Sequence, residues 1–181
     1  MITCLDIENT FANGDNMPYG GENMLVSCGY LTNTNEQGYL CFYHADQDPT
    51  RNNAGILQNV LFRTRLLVGH NIKYDLQWLL ACGFQYTGEL WDTMGVEYLL
   101  ARGLHRDISL DASCKRRSVS EKKSHIFDEF IKAGKGVDEI PWDKLVEYGE
   151  QDVKSTYELA YVQAEMLDIE LEKWAKNETN Y

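Results

Sequence analysis

The chain has 181 residues, 44% hydrophobic and 25% charged, which is enough apolar material for one ordinary globular core and excludes a disordered polypeptide. No apolar run approaches the roughly 20 residues of a membrane span. A formal net charge of −11 argues against a surface that holds phosphate chains by lysine and arginine alone.

Met1 to Glu8 alternates and is rich in strand formers, so it reads as a first strand rather than a targeting segment. Asn9 to Asn23 is polar and glycine-rich and reads as a loop. Met24 to Leu31 and Gly38 to His44 are strand-like, and the turn-rich Thr32 to Gln37 between them makes a hairpin. Gly55 to Arg63 then reads as a helix and Arg65 to His70 as a short buried strand. Asn71 is a candidate N-cap for a helix from Ile72 to Cys82, closed by Gly83. Glu89 to Asp92 is a last short strand. Beyond Thr93 the pattern is helical, with Ser109 as an N-cap and Pro141 opening a long helix that runs past Leu171. A β-meander, a β-α-β unit and then helices predict one α/β domain over residues 1–181, built on a single mixed sheet. The five cysteines are scattered, with no C-x-x-C pair, which disfavours disulfides and zinc and favours a reducing, cytoplasmic setting.

Acidic residues stand where packing alone would not put them. Asp6 and Glu8 are two apart on a strand, so they share a face. Side by side, such charges destabilise each other unless a cation lies between them; a strand that simply ends in solvated carboxylates is the plain alternative. Asp75 falls on or beside the apolar stripe Ile72, Leu76, Leu79 and Leu80, where a carboxylate is costly without a partner; a backbone cap or Lys73 could supply one. Tyr148 and Asp152, four apart, fall on the stripe Leu145, Tyr148, Asp152, Thr156 and Leu159. Hard divalent cations take oxygen ligands. Two of them about 4 Å apart can hold both oxygens of an in-line phosphoryl displacement.

These segments resemble the three motifs of the DEDD exonuclease superfamily. Leu5-Asp6-Ile7-Glu8-Asn9-Thr10 looks like the first, and Gly69-His70-Asn71-Ile72-Lys73-Tyr74-Asp75 like the second. Tyr148 and Asp152 match the third, in the Y-x-x-x-D form of the DEDDy branch, and Trp91-Asp92-Thr93 resembles the D-T pair between the second and third. The likeness runs from Met1 to about Leu167 and is nearest to the proofreading domains of family-A DNA polymerases, bacteriophage ones in particular. It implies a ribonuclease-H-like fold, a five-stranded mixed sheet flanked by helices, and 3′→5′ hydrolysis of DNA ends to nucleoside monophosphates. It implies two divalent cations, Mg²⁺ or Mn²⁺. Asp6 would bridge both, Glu8 and Asp152 would complete one, and Asp75 would hold the other. Tyr148 would orient the attacking water, Asn71 would contact the terminal nucleotide, and Phe11 is a weaker candidate for stacking on terminal bases. The implied partner is a DNA 3′ end, preferably single-stranded; a free-standing exonuclease, a proofreading subunit for a separately encoded DNA polymerase and a piece of a longer protein are all compatible with the motifs. An RNA exonuclease resembling ribonuclease D and a catalytically silent nucleic-acid-binding module are the alternatives.

Other residues carry plainer expectations. His44, His70, His105 and His125 read as structural or surface residues, Asp92 as a cap for the helix from Met94, and Lys73 as exposed. The four tryptophans read as packing residues. The basic residues Arg102, Arg106, Lys115, Arg116, Arg117, Lys122 and Lys123 read as a solvated face or a modest phosphate footprint.

Overall fold

The computed structural model describes residues 1–12, 14–50, 52–120, 130 and 132–176; Lys122, Lys123 and His125 lie outside them. Strand β1 (Ile2–Asn9) pairs antiparallel with β2 (Leu25–Thr32), and β2 pairs antiparallel with β3 (Gln37–Cys41). Helix α1 (Asn53–Arg63) leads into β4 (Leu66–Gly69), and α2 (Ile72–Ala81) into β5 (Glu89–Asp92). Both later strands join in parallel, giving the order β3-β2-β1-β4-β5. Then follow α3 (Thr93–Leu100), α4 (Leu110–Arg117), α5 (Trp142–Met166) and α6 (Leu171–Ala175). This is the five-stranded mixed sheet of the ribonuclease-H-like class, formed from the expected meander and β-α-β unit.

The period-two alternation of β1 sorts the two cores. Leu5 and Ile7 pack with Leu57, Leu61, Trp78 and Leu79 of α1 and α2. Ile2 and Cys4 pack on the opposite face with Val153, Ala160 and Ala164 of α5 and with Leu171 of α6. Asp6 and Glu8 continue the second series, so they face α5.

Three boundaries and the rotation of one helix differ from the sequence expectation. Strand β3 stops at Cys41, because the Phe42 and Tyr43 N–H groups both turn back to the Val26 carbonyl (2.8 and 3.1 Å) and end the ladder. Pro141 is the N-cap of α5 rather than its first residue. The last helix breaks before Leu171. Asp168 is left-handed (φ 56°) and the Ile169 N–H reaches back to Ala164 O at 2.9 Å, a Schellman closure that satisfies the free carbonyls and lets α6 fold onto the sheet. There Trp174 packs edge-on against Trp91, 5.5 Å between centroids. Finally, α2 is rolled so that Trp78 faces inward and Leu80 is 52% exposed. Trp78 gains a bond from Nε1 to Asn16 O (3.1 Å) that Leu80 could not make. The roll puts Asp75 fully on the buried face, with Ile72 and Leu79.

Candidate active site

The end of β1 is laid open on one side. Its parallel pairing with β4 runs only from Ile2 to Cys4, because β4 stops at Gly69 and turns into α2. On the other side a bulge falls between Glu8 and Asn9, and such irregularities re-aim side chains beside functional sites. Asp6 and Glu8 therefore project from the last regular part of the strand, both half-buried. The Ile7 N–H, left without β4 as a partner, donates to Asp75 Oδ1 at 3.1 Å.

Asp75 is 3% exposed. Its neighbours are the Asp6 and Asp92 charges and two backbone N–H groups, those of Ile7 and of Asp75 itself. Burial lifts its carboxyl well above the ordinary range and Asp6 lifts it further; the N–H groups offset only part. Lys73 is exposed and does not supply the countercharge considered from sequence.

Asn71 occupies the N-cap position of α2 but its side chain does not cap the helix, contrary to the sequence expectation. Its backbone is left-handed (φ 65°), a conformation asparagine tolerates better than most residues. Asp92 holds it there: one oxygen, Oδ1, accepts from the N–H of Asn71 (2.9 Å), Met94 (3.0 Å) and Gly95 (3.3 Å). Asp92 is thus the expected cap of α3 and also ties α3 to the start of α2. His70 Nδ1 lies 2.9 Å from Thr93 Oγ1, whose hydroxyl donates to Gly69 O (3.2 Å). That contact ties His70 to the start of α3.

Helix α5 brings the third group. Tyr148 and Asp152 are 7% and 4% exposed, on the buried face with Leu145, Thr156 and Leu159 as the spacing predicted. Burial raises the Tyr148 phenol, and the charges of Asp152, Glu8 and Asp6 and a hydrogen bond to Asp152 raise it further. Asp6 is the common neighbour: it bears on Asp75 from one side and, with Glu8, on Tyr148 from the other.

All five acidic-site residues named from sequence therefore converge. Their donor set is oxygen only, and like charges are held together in part out of water, which fits hard divalent cations. Among the described residues no group of three or more acidic, imidazole or thiol side chains is placed to hold a metal ion as it stands. Phe11 is 68% exposed just beyond β1, so it does not pack inward. Its loop is pinned by Asn16 O, which receives the Tyr74 hydroxyl (3.0 Å) and the Trp78 indole N–H.

Sequence reasoning missed two features. Glu97, 1% exposed, takes Arg116 and Arg117 at 2.8 Å each and Gln163 at 3.1 Å. Burial would raise its carboxyl, but Arg117, Gln163 and Arg116 together hold it below the ordinary range. The two arginines belong to this α3–α4–α5 junction, not to a solvated face or a phosphate footprint. Tyr39, a β3 residue, lies beside Glu8 and Asp6, and burial followed by the Glu8 charge raises its phenol. In both cases the signal is a pairing between distant segments, which no local pattern carries.

A ribonuclease-H-like sheet with carboxylates gathered at the open end of its first strand defines the exonuclease fold class. The chain belongs to the 3′-5′ exonuclease family, whose DNA-polymerase-A-type model matches residues 19–168. That match includes Asn71, Asp75, Tyr148 and Asp152 and leaves out Asp6 and Glu8, which the pairing of β1 with β2 and β4 brings in. A search of curated proteins gives no significant match. Among solved structures, the apo form of a nuclease has a TM-score of 0.66 at 17% identity, covering 92% of this chain and 73% of the other. The POL domain of Pol1 from M. smegmatis, in complex with DNA primer-template and dNTP, has a TM-score of 0.60 at 14% identity. It is covered over 92% of this chain, which spans 24% of its length. Brucella melitensis NrnC bound to pGG has a TM-score of 0.57 at 16% identity, covering 97% and 76%. Among the described residues no helix is long and apolar enough to cross a membrane.

Proposed function

We propose that the protein is a 3′→5′ exonuclease that shortens DNA 3′ ends with two divalent cations, Mg²⁺ or Mn²⁺, held by Asp6, Glu8, Asp75 and Asp152. The observation that carries this reading is the burial of Asp75 in the field of Asp6 and of Asp152 against Tyr148, which also feels Asp6 and Glu8. Buried carboxylates in one another's field are costly unless cations neutralise them. Such cations would polarise the scissile phosphate and make water a nucleophile near neutral pH.

The chain's own residues then have distinct tasks. Asp6, between the other groups, would serve both cations, with Glu8 and Asp152 on one side and Asp75 on the other. The hydroxyl of Tyr148 would orient the attacking water by hydrogen bonding. Asn71, whose side chain does not cap α2, would present its amide to the terminal nucleotide, and exposed Phe11 would stack on a base. A proofreading role beside a DNA polymerase accords with the polymerase likeness.

The test is digestion of 5′-labelled single-stranded DNA, its matched duplex and the RNA counterpart, each with Mg²⁺, Mn²⁺ or EDTA. Products one nucleotide shorter from the 3′ end, a metal requirement and a preference for the DNA strand are expected. Opening a paired end costs about 1–2 kcal/mol per step, so the duplex should be slower. A preference for RNA would move the protein to the ribonuclease reading. No digestion of any strand would leave a binding module.

A further inference from the structure

We infer that Tyr39 is a positioning residue for the acidic site: its ring, wedged between Gly29 of β2 and Gly149 of α5, sets how closely α5 seats over β1. It thereby sets where Tyr148 and Asp152 stand relative to Asp6 and Glu8. The inference rests on the reading of the site proposed above.

Asp6, Gly29 and Tyr39 form one row across the sheet, Asp6 opposite Gly29 and Gly29 opposite Tyr39. Residues directly opposite in antiparallel strands project to the same face, which here is the α5 side. The Tyr39 ring fills the space left by two missing side chains. A Cβ at Gly29 would stand 3.0 Å from Tyr39 Cδ2 and 3.1 Å from Val153 Cγ2 of α5. A Cβ at Gly149 would stand 2.5 Å from Tyr39 Oη and 2.7 Å from Cζ, and closer still to Cε2. Separations under 3 Å are not tolerated, so the ring or the helix would have to move.

The ring is poorly placed to yield. Ser27 Oγ of β2 donates to its hydroxyl at 2.9 Å and ties the ring to the sheet, while Trp142, the first residue of α5, packs edge-on against it at 5.5 Å. Trp142 is backed by His44 (5.2 Å), whose Nε2 bonds Ile140 O at 2.8 Å just ahead of α5. The helix is the part left to shift. Gly149 directly follows Tyr148 and lies three before Asp152, so a shift there reaches both. Misplacing a reacting group by about 1 Å can cost on the order of 10²-fold in rate. Glycine weakens a helix interior, and close approach to this ring is the physical reason for one at position 149.

The experiment is a double-mutant cycle of Gly149→Ala and Tyr39→Leu. The readouts are kcat and KM on a labelled single-stranded DNA oligonucleotide, Mn²⁺ binding by electron spin resonance, and thermal unfolding. Helix propensity alone would make Gly149→Ala neutral or stabilising. The expected result is instead a kcat at least tenfold lower, KM changed less than twofold and Mn²⁺ binding at least fivefold weaker. In the Tyr39→Leu background, which removes the ring the new methyl strikes, Gly149→Ala should change kcat and Mn²⁺ binding less than twofold. A Gly149→Ala chain that folds only when Tyr39→Leu is present supports the same contact. Wild-type kcat and Mn²⁺ binding in Gly149→Ala, or equal losses or misfolding in both backgrounds, would overturn the inference. Asp152→Ala is run alongside. If it turns over like the wild type, the site reading itself fails; if it is inactive while Gly149→Ala is normal, only the role of Tyr39 fails.

Discussion

Asp75 of α2 accepts the backbone N–H of Ile7, the residue between Asp6 and Glu8, at 3.1 Å. One hydrogen bond thus registers the second acidic segment against the first. It exists because the pairing with β4 ends at Cys4, two residues short of Asp6, and leaves that N–H to be satisfied.

If the four carboxylates hold the cations, removing one removes turnover while the fold survives. Asp6→Ala and Asp152→Ala should each lose well over the 10–100-fold that loss of a mere supporting partner costs around a metal. Each side chain adds like charge to the site. In EDTA the melting temperature should therefore be unchanged or raised. Wild-type-like turnover in either purified variant would sink the assignment.

The raised carboxyl of Asp75 has a consequence for stability. Its pKa in the folded state lies above the ordinary 3.8, so the native state binds the proton more tightly than the unfolded chain. Stability then falls as pH rises from about 4 through the folded value. Asp75→Asn keeps an acceptor for the Ile7 N–H but has no proton to lose. In EDTA its melting-temperature advantage over wild type should be absent below about pH 4 and grow as pH rises. Glu97, lowered by its arginines, acts in the opposite direction, but it is common to both proteins and cancels. Saturating Mg²⁺ should reverse the order, since ligands stabilise the state that binds them. An advantage constant across pH would contradict the account.

Tyr148→Phe should be milder than the carboxylate changes. It deletes one hydroxyl from the cleft and leaves the oxygen ligands in place, so a loss of at most about 10²-fold in kcat is expected. The Mg²⁺ midpoint should stay unchanged. Because burial raises the phenol well above its ordinary range, the rate profile should show no break near pH 10 that Tyr148→Phe abolishes. Such a break, seen in steady-state rates, would make the phenol an acid–base group.

Arg117→Ala separates structure from substrate binding. It takes one of two arginines from buried Glu97 while Arg116 and Gln163 remain. The cost should fall below the ~3–5 kcal/mol of a wholly broken buried pair, or a melting temperature lower by about 5–10 °C. The salt dependence of oligonucleotide binding should not change. A slope shallower by about one phosphate contact would show that Arg117 touches the substrate.

The sequence by itself determined which faces carry the acids. Alternation on β1 aligns Asp6 with Glu8, and a four-residue step on α5 aligns Tyr148 with Asp152; both follow from the local period of the backbone. The meander, the β-α-β unit and the caps at Ser109 and Asp92 were legible for the same reason, since they depend on residues a few positions apart. Tertiary structure decided the rest. Whether Trp78 or Leu80 turns inward depends on Asn16, more than 60 residues away. Whether Asn71 caps its helix depends on Asp92 of another strand, and whether Arg116 and Arg117 face solvent depends on Glu97 and Gln163. The wedge of Tyr39 between two glycines joins β2, β3 and α5. These choices turn on which distant partner satisfies a buried polar group or fills a void, and the free energy of such contacts exists only once the chain has folded.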